Sequence, residues 1–488
     1  MVVRTDPGGW RSCHRWRTLT PGHRARMSRP TQQELDERGR AKRKHVGRRS
    51  HADFPRGEAR TDPLSTLAAQ DALRAPDLLG LRYARMAVSP FTFLRGSAAV
   101  MAADLARTPT TSVLTQLCGD AHLLNIETFA TPERRLVVDV TDFDETIRGP
   151  FEWDLKRMAT SLVVAARDRS FATEVADNAV YACLTRYRSV MREHRRDDVL
   201  EMWYASIDER EVVAGIGERV AGGELGAQIL DTTEEVFAKA RRRTSKRAAR
   251  RLTEVVDGRL QMREDPPVLS REALPGDRRA RAITFLDGYA DTLSADRRGV
   301  LQRFEVVDVA RRVVGVGSVG TRCYVILLHG RDADDPLVLQ AKEAGPSVLA
   351  PYVGATAVTP HGRRVVEGQR TMQTVSDIFL GWVTAVGPDG VERDFYVRQF
   401  RDMKGRVDLK DLNAKGLVAY AQLCGHVLAD AHARGGQATE IAGYLGKSDG
   451  FIDALIRFAH RYANQTERDH KTLLDAIAAG RVPYEPED

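Results

Sequence analysis

The spacing of hydrophobic residues separates the chain into helical and strand-forming stretches. Apolar residues recur every three or four positions over 63–107 and again over 153–209, which predicts helices in both stretches. Residues 112–145 instead carry short apolar runs separated by turn residues, a pattern typical of strands, a loop and a hairpin. Residues 210–300 return to a mostly helical and charged pattern. The first three hundred residues are therefore predicted to be largely helical around one short β segment.

The second half of the chain begins with a β-like pattern. Two apolar runs, 304–309 and 323–328, flank the glycine-rich stretch 315–320, and a third run over 337–342 ends at a lysine. We expect three strands here, of which the first two are joined through the glycines. Downstream, the pattern predicts a helix over 363–380, strands over 381–385 and 394–400, and helices over 412–474.

The composition is that of a soluble globular protein. The 488 residues include 42% hydrophobic and 29% charged side chains, enough for two or three domains with a large core. No run approaches the roughly 18 apolar residues of a membrane-spanning helix, and the N-terminus lacks the apolar core of a secretory signal. The five cysteines form no C-x-x-C pair, which argues against a zinc site or a disulfide framework and favours a reducing cytoplasm.

Positive charge is concentrated at the N-terminus. Residues 1–60 hold 16 Lys and Arg against 6 Asp and Glu, and the whole chain has a net charge of only +7. The remainder is therefore mildly acidic. Stretches rich in Arg, Gly and Pro are usually solvated, so we expect a disordered basic arm over 1–60 and no nucleic-acid-binding surface on the folded body. Contact of the arm with an acidic partner and a translation start at Met27 stay open as alternatives.

One segment in the first third of the chain contains the residue types that phosphoryl transfer requires. Asp120 and Asn125 lie five positions apart, a β-type run follows, and then come Asp142 and Asp144. In kinases one carboxylate orients the attacking hydroxyl, while an amide oxygen and a second carboxylate hold Mg²⁺. We therefore predict Asp120 as the catalytic base, and Asn125 and Asp142 as metal ligands. Asp144 is a further candidate ligand or a solvated turn carboxylate, and Asp139 is an alternative to Asp142.

The stretch Gly315-x-Gly317-x-x-Gly320 is compatible with two nucleotide-binding folds. A dinucleotide-binding domain would begin a helix at the third glycine. β-Branched and aromatic residues follow Gly320 instead, and they favour a strand. A strand, glycines and a second strand make the kinase arrangement, in which loop N–H groups cover the ATP phosphates. We predict that Gly315, Gly317 and Gly320 contact ATP in this way, with a plain glycine hairpin as the alternative.

A kinase also needs a lysine against the α- and β-phosphates and a helix carboxylate that holds this lysine. Lys342 ends the strand after the glycine hairpin, and Glu367 lies in the first helix after Lys342. We predict that these two residues pair and help to bind the cofactor. Glu343 is adjacent to Lys342 on the strand and points to the opposite face. The alternative interpretation is a surface lysine and an exposed helix carboxylate.

These parts occur in an unusual order. In an ordinary kinase the glycine loop and lysine precede the catalytic loop, whereas here they follow it. Joining the ends of the chain restores the ordinary order, because helix 416–434 would then precede the catalytic loop and pack beside 112–120. We therefore predict an α+β, protein-kinase-like two-lobe fold that is circularly permuted. The predicted parts are a helical lobe over 61–300, a small β-rich nucleotide-binding lobe over 301–405, and C-terminal helices over 406–488 that complete the helical lobe.

The catalytic segment resembles the aminoglycoside phosphotransferase and choline kinase group. The resemblance rests on Cys118-Gly119-Asp120-Ala121-His122-x-x-Asn125, Thr141-Asp142-Phe143-Asp144 and Glu152-Trp153-Asp154-Leu155. It implies that Asp120 is the catalytic base, that Asn125 and Asp142 bind metal, and that Asp154 is a buried carboxylate bracing the loop. Cys118 stands where that group has a histidine, and Asp144 stands where protein kinases have a glycine.

From about residue 60 onward the chain resembles a bacterial family known as domain of unknown function 2252. Its marks are Phe93-Leu94-Arg95-Gly96, the Cys118–Asn125 and Thr141–Asp154 stretches, Gly315–Gly320, Gln399-Phe400-Arg401-Asp402-Met403-Lys404 and Tyr462-Ala463-Asn464-Gln465. The resemblance implies a bacterial cytoplasmic protein and supplies no established reaction.

Together these features predict a phosphotransferase that depends on ATP and Mg²⁺ and acts on a hydroxyl of an unidentified small molecule or protein. Transfer of AMP to a side chain is one alternative, and a non-catalytic nucleotide-binding or scaffold role is another. We expect helices within 155–300 to build the acceptor site, although their sequence names no ligand.

Overall fold

The computed structural model has an α+β fold, as predicted. It describes residues 30–54, 60–272, 274, 276–354, 358–387 and 389–487. Helices form most of this part of the chain, and the strands are confined to four small sheets. None of the helices in these ranges combines the length and the apolar character needed to cross a membrane.

The helices of the described residues are numbered along the chain. They are α1 (Gln32–Lys42), α2 (Pro63–Asp71), α3 (Leu79–Ala87), α4 (Pro90–Gly96), α5 (Ala98–Leu105), α6 (Glu152–Asp168), α7 (Thr173–His194), α8 (Val199–Tyr204), α9 (Glu209–Ala221), α10 (Ala227–Arg241), α11 (Ser245–Leu252), α12 (Arg278–Ala290), α13 (Ala295–Leu301), α14 (Ala350–Val353), α15 (His361–Met372), α16 (Ala414–His432), α17 (Ala438–Leu445) and α18 (Gly450–Ala478).

The strands are numbered in the same way. They are β1 (Leu114–Leu117), β2 (Ile126–Ala130), β3 (Leu136–Val140), β4 (Ile147–Pro150), β5 (Ile207–Asp208), β6 (Thr253–Val256), β7 (Arg259–Met262), β8 (Leu269–Ser270), β9 (Glu305–Arg312), β10 (Cys323–His329), β11 (Pro336–Glu343), β12 (Gly381–Val386) and β13 (Glu392–Gln399).

The largest sheet has six strands in the order β12-β13-β11-β10-β9-β8, and its neighbouring strands run antiparallel. The predicted strands of this region are therefore present. Its central strands are apolar on both faces because both faces are covered. Ile326 and Leu328 pack with residues of α12, whereas Val325 and Leu327 pack with residues of α11. Lys342 pairs in register with Cys323, so the lysine lies beside the start of β10.

The largest hydrophobic core lies among the helices outside this sheet. Helix α16 packs closely against α7 at Gly425, which has no Cβ to prevent the contact. A Cβ there would lie 2.0 Å from the carbonyl oxygen of Cys183. The end of α16 reaches β1, where the Thr115 hydroxyl donates a hydrogen bond of 3.0 Å to the carbonyl of His432. The C-terminal helix predicted over 416–434 is thus next to β1, the strand that leads into the loop of Asp120.

The expected disordered arm is wrong for part of its length. Residues 32–42 form α1, which begins with a capping box at Thr31 and packs against α17. The two helices approach closely at Gly39, where a Cβ would lie 2.1 Å from the carbonyl oxygen of Glu440. The small glycine and the polar cap are local signals that the high positive charge of the segment concealed. Residues 1–29 and 55–59 of the predicted arm lie outside the described residues.

Candidate functional site

The loop that carries Asp120 connects β1 to β2 and is held by a buried carboxylate. Asp154, in the first turn of α6, accepts hydrogen bonds from the backbone N–H groups of Cys118 at 2.7 Å and Gly119 at 3.0 Å. His432 approaches the same carboxylate at 3.2 Å. Gly119 has a φ of +86°, and a Cβ there would lie 2.2 Å from the Glu145 carbonyl oxygen. The glycine and the carboxylate together fix the loop, as the resemblance implied for Asp154.

Asp120 has one oxygen engaged by protein and its side chain on the wall of a cleft. Arg157, one turn after Asp154 on α6, donates to Asp120 Oδ1 from Nε at 2.8 Å. Asn125 donates its amide N–H to the backbone carbonyl of Asp120 at 2.7 Å, so the amide oxygen stays available to accept a hydrogen bond or bind a cation. His122 is buried beside them, and burial lowers its pKa to about 4. His122 is therefore neutral at physiological pH.

Asp142 follows β3 and lies among cations. Burial by itself raises the pKa of this carboxyl, but the charges of Lys342, Arg398 and Lys404 outweigh it and lower the pKa to about 2. The carboxylate is thus ionised at every physiological pH. The Cys118 thiol donates to the Asp142 backbone carbonyl at 3.1 Å, which ties the two predicted site segments together.

Lys342 reaches this cluster from the sheet. Its ammonium group is buried, forms an ion pair with Asp144 and donates a hydrogen bond of 2.7 Å to Ser318 Oγ. Asp144 also accepts a hydrogen bond of 2.8 Å from the Tyr396 hydroxyl. Although burial lowers the pKa of Lys342, the nearby carboxylates raise it well above its usual value, so the lysine stays charged. The predicted lysine, the glycine-rich stretch and the carboxylates therefore meet.

The predicted pairing of Glu367 with Lys342 is wrong. Glu367 lies on the outer face of α15, where it is exposed and pairs with Arg363 at 2.7 Å. The inner face of the helix presents Arg364, which donates to the backbone carbonyl of Asp144 at 2.7 Å. The position of Glu367 within the helical turn thus excludes it from the site, and Asp144 is the carboxylate that holds the lysine.

Glycines form one wall of the cleft, but a helical segment covers them. Gly315 and Gly320 have positive φ values of 67° and 89°, which a glycine adopts without strain. A Cβ at Gly317 would lie 2.9 Å from the Arg95 carbonyl oxygen on α4. Val316 and Val319 between the glycines are buried in apolar clusters with residues of α2–α5. The loop is consequently packed against these helices and is not a free flap.

The cleft itself is small and polar. Its walls combine Asp120, Asn125 and Asp142 with the loop residues 315–318 and with side chains of α2 and α4. It encloses about 80 Å³, whereas pockets for drug-sized ligands measure about 300–1,000 Å³. A nucleoside triphosphate is larger than this space, so its binding would require the walls to move apart.

The donor set fits magnesium and does not form a preassembled metal cage. No group of three or more His, Cys, Asp and Glu in the described part of the chain is placed to enclose a metal ion. Mg²⁺ needs no such cage, because it is usually held by one or two carboxylates together with substrate phosphates and water. An ionised Asp142 and the amide oxygen of Asn125 meet that requirement.

Comparison with known proteins identifies a family and no reaction. A family model described as "Uncharacterized protein conserved in bacteria (DUF2252)" matches residues 74–476. The chain belongs to the DUF2252 family. A search of curated proteins and a search of solved structures found no match to it. The family resemblance is thus confirmed, and the resemblance to aminoglycoside phosphotransferases and choline kinases stays a prediction.

Sequence reasoning missed the charged side chains that fill the space behind the cleft in this DUF2252 protein. Arg398 of β13 donates to the Gln340 side chain and to the Thr141 carbonyl, each at 3.2 Å. Lys404 pairs with Glu127 of β2 at 2.5 Å. These residues are far apart in the sequence, so no local pattern announces their contact. Lys404 does lie in the 399–404 stretch that marks the family.

A second cavity in the DUF2252 chain lies between α9, α10, α16 and β2 and measures about 270 Å³. Its walls are mainly apolar, with side chains such as Ile216, Ile229 and Leu423. The residues that line it are different from those that line the cleft. Helices α9 and α10 thus line a pocket that shares no residue with the cleft.

Proposed function

We propose that this DUF2252 protein is a phosphotransferase that depends on ATP and Mg²⁺ and has a circularly permuted, kinase-like arrangement. One observation carries the proposal. Asp120, Asn125 and Asp142 share a cleft with the glycine-rich stretch, and Lys342 binds both Asp144 and Ser318 at the edge of this cleft. The segments 120–144 and 315–342 thus meet in space although they are far apart in the sequence.

The order of elements supports the permuted arrangement. A hairpin of β9 and β10 carries the glycines, β11 carries the lysine, α15 follows, and β12 and β13 complete the sheet. Kinases place a glycine loop, a lysine strand, a helix and further strands in that order. Helix α16 then ends beside β1, which leads into Asp120. The missing connection between α16 and β1 is the one that a permutation removes.

The residues of the cleft have distinct proposed roles. Asp120, oriented by Arg157, would accept the proton of the acceptor hydroxyl, and Asn125 with Asp142 would hold the metal ion. Lys342 would bind phosphate oxygens when it exchanges part of its contact with Asp144 for them. The magnesium nucleotide supplies the phosphoryl group and the charge neutralisation. Positioning and electrostatic stabilisation are therefore the contribution of the protein.

Nucleotide binding and group transfer test the proposal together. Purified protein is titrated calorimetrically with ATP in the presence and absence of Mg²⁺, and the products with candidate hydroxyl acceptors are weighed by mass spectrometry. We expect binding that requires Mg²⁺ and is lost in Asp142→Asn, and transfer that is lost in Asp120→Asn. Asp177→Asn is the matched control, because Asp177 pairs with His460 on α18, outside the cleft. No binding at millimolar ATP and Mg²⁺ would end the proposal, and addition of an AMP mass would redirect it to nucleotidyl transfer.

A further inference from the structure

Arg95 is an arginine of the cleft that has no partner among the described residues. It lies in the last turn of α4, whose N-terminus is fixed by the capping box of Ser89 and Thr92. Its side chain lines the cleft together with Asp120 and Asp142. It forms no hydrogen bond or ion pair with any described residue, and its Nε atom is fully buried without an acceptor.

Arg74, which also lines the cleft, and Arg157 and Arg398, which lie next to its residues, differ from Arg95 in this respect. Arg157 donates to Asp120, Arg74 donates to the carbonyl of Val319, and Arg398 donates to the carbonyl of Thr141. A guanidinium cannot escape the cost of burial by losing its proton at physiological pH. A buried donor without an acceptor therefore destabilises the protein unless a ligand supplies the acceptor.

The charges that face Arg95 indicate the kind of ligand. Burial and the charge of Arg406 lower the pKa of Arg95, and the charges of Asp120 and Asp142 oppose this effect. A metal ion on Asp142 would screen that attraction. An anion with several oxygens between Arg95 and the metal would then satisfy both cations. The planar fork of an arginine matches the oxygens of a phosphoryl group particularly well.

We propose that Arg95 binds the non-bridging oxygens of the phosphoryl group that is transferred, as an arginine supplied by the N-terminal helices of the same chain. This inference rests on the proposed function and adds a catalytic residue to it. Arg95 makes and breaks no covalent bond, and it stabilises negative charge as that charge spreads over the phosphoryl oxygens. Arginines that act in this way in other phosphotransfer enzymes raise kcat by about 10³–10⁵-fold.

The first test needs no substrate, because inorganic phosphate serves as the probe. Arg95→Met keeps much of the side-chain volume and removes the guanidinium with its buried Nε–H, which has no acceptor. Without phosphate we expect Arg95→Met to have a higher thermal midpoint than the full-length wild-type protein. With increasing phosphate the wild-type midpoint rises and that of Arg95→Met stays constant. Arg167→Met is the matched control, because Arg167 pairs with Glu467 away from the cleft. Equal phosphate stabilisation of wild type and Arg95→Met would overturn the anion site.

The second test separates this inference from the proposed function. In an enzyme that transfers phosphate, Arg95→Ala should lower kcat by at least about 10²-fold with a small change in KM, and added guanidinium ion should restore part of the rate. Arg95→Lys should retain an intermediate rate. Unchanged kcat in Arg95→Ala would refute the role of Arg95 and leave the phosphotransferase standing. The opposite result is also informative. If phosphate stabilises the wild type but not Arg95→Met, and the wild type binds no ATP, the phosphotransferase is refuted and the anion site stands.

Discussion

The ion pair between Lys342 and Asp144 connects the six-stranded sheet to the segment that follows β3, and its strength can be measured. Lys342→Met removes an ammonium whose side chain is only 4% exposed, and it leaves Asp144 with the Tyr396 hydroxyl as its remaining partner. Asp144→Asn removes the other charge. The double variant completes a thermodynamic cycle that isolates the coupling between the two side chains.

The structure sets the expected magnitude. Removing one partner of a fully buried ion pair costs about 3–5 kcal/mol, because the other charge is left uncompensated. The side chain of Asp144 is 26% exposed, so solvent recovers part of that cost. We therefore expect each single variant to lower the free energy of unfolding by about 2–3 kcal/mol, and the coupling energy to be about 2 kcal/mol.

Urea denaturation of the full-length protein, followed by circular dichroism, measures these free energies. A parallel cycle of Lys342→Met with Glu367→Gln is the matched control, because Glu367 pairs with Arg363 and not with the lysine. Its coupling should be within about 0.5 kcal/mol of zero. A coupling to Glu367 as large as that to Asp144 would refute the assignment of the lysine's partner.

Three further changes test the packing that supports the loop. Asp154→Asn weakens charged hydrogen bonds to two loop N–H groups, so it should lower the free energy of unfolding by about 3 kcal/mol. It should also accelerate hydrogen exchange over 118–125, and unchanged exchange would contradict the bracing role of Asp154. Burial lowers the pKa of Lys156 from 10.5 to about 8, so the unfolded chain binds more protons between these pH values and stability should rise with pH there. Lys156→Met should abolish this rise in denaturation curves measured from pH 8 to 10, and a persisting rise would assign it to other groups. Gly425→Ala places a Cβ against the Cys183 backbone and should lower the free energy of unfolding by at least about 2 kcal/mol. Gly217→Ala on an open face of α9 is its control and should raise that free energy by about 0.5–1 kcal/mol. Equal effects of the two substitutions would show that α16 and α7 readjust.

Local patterns predicted the strands around the glycine-rich stretch and the loop between β1 and β2, because their signals lie within a few residues. The residues after Gly320 favour a strand over a helix, and β10 begins at Cys323. The Asp120 to Asn125 spacing likewise anticipated a loop between strands. Both predictions depend on chemistry that one short segment contains by itself.

The partner of Lys342 could not be predicted in this way. The sequence favours Glu367 because it is a carboxylate in the first helix predicted after Lys342, but which face of a helix meets its neighbours depends on tertiary packing. Gly368 rather than Glu367 faces the core, where a Cβ would lie 2.4 Å from the Thr146 side chain. The charged side chains behind the cleft could not be predicted for the same reason, since Lys404 and Glu127 are far apart in the sequence and only the tertiary structure brings them into contact.

The packing of the glycine-rich stretch also determines how the cleft can open. Val316 and Val319 are buried among residues of α2–α5, and Gly317 touches the backbone of Arg95 on α4. The loop therefore cannot lift away alone without exposing two valines, which costs about 3 kcal/mol or more. A ligand larger than the present space gains room at lower cost if the loop and helices α2–α5 move as one unit, because both valines then stay buried. Such a movement carries Arg95 with the loop, so the guanidinium would return to the phosphoryl oxygens whenever the glycines close over the ligand.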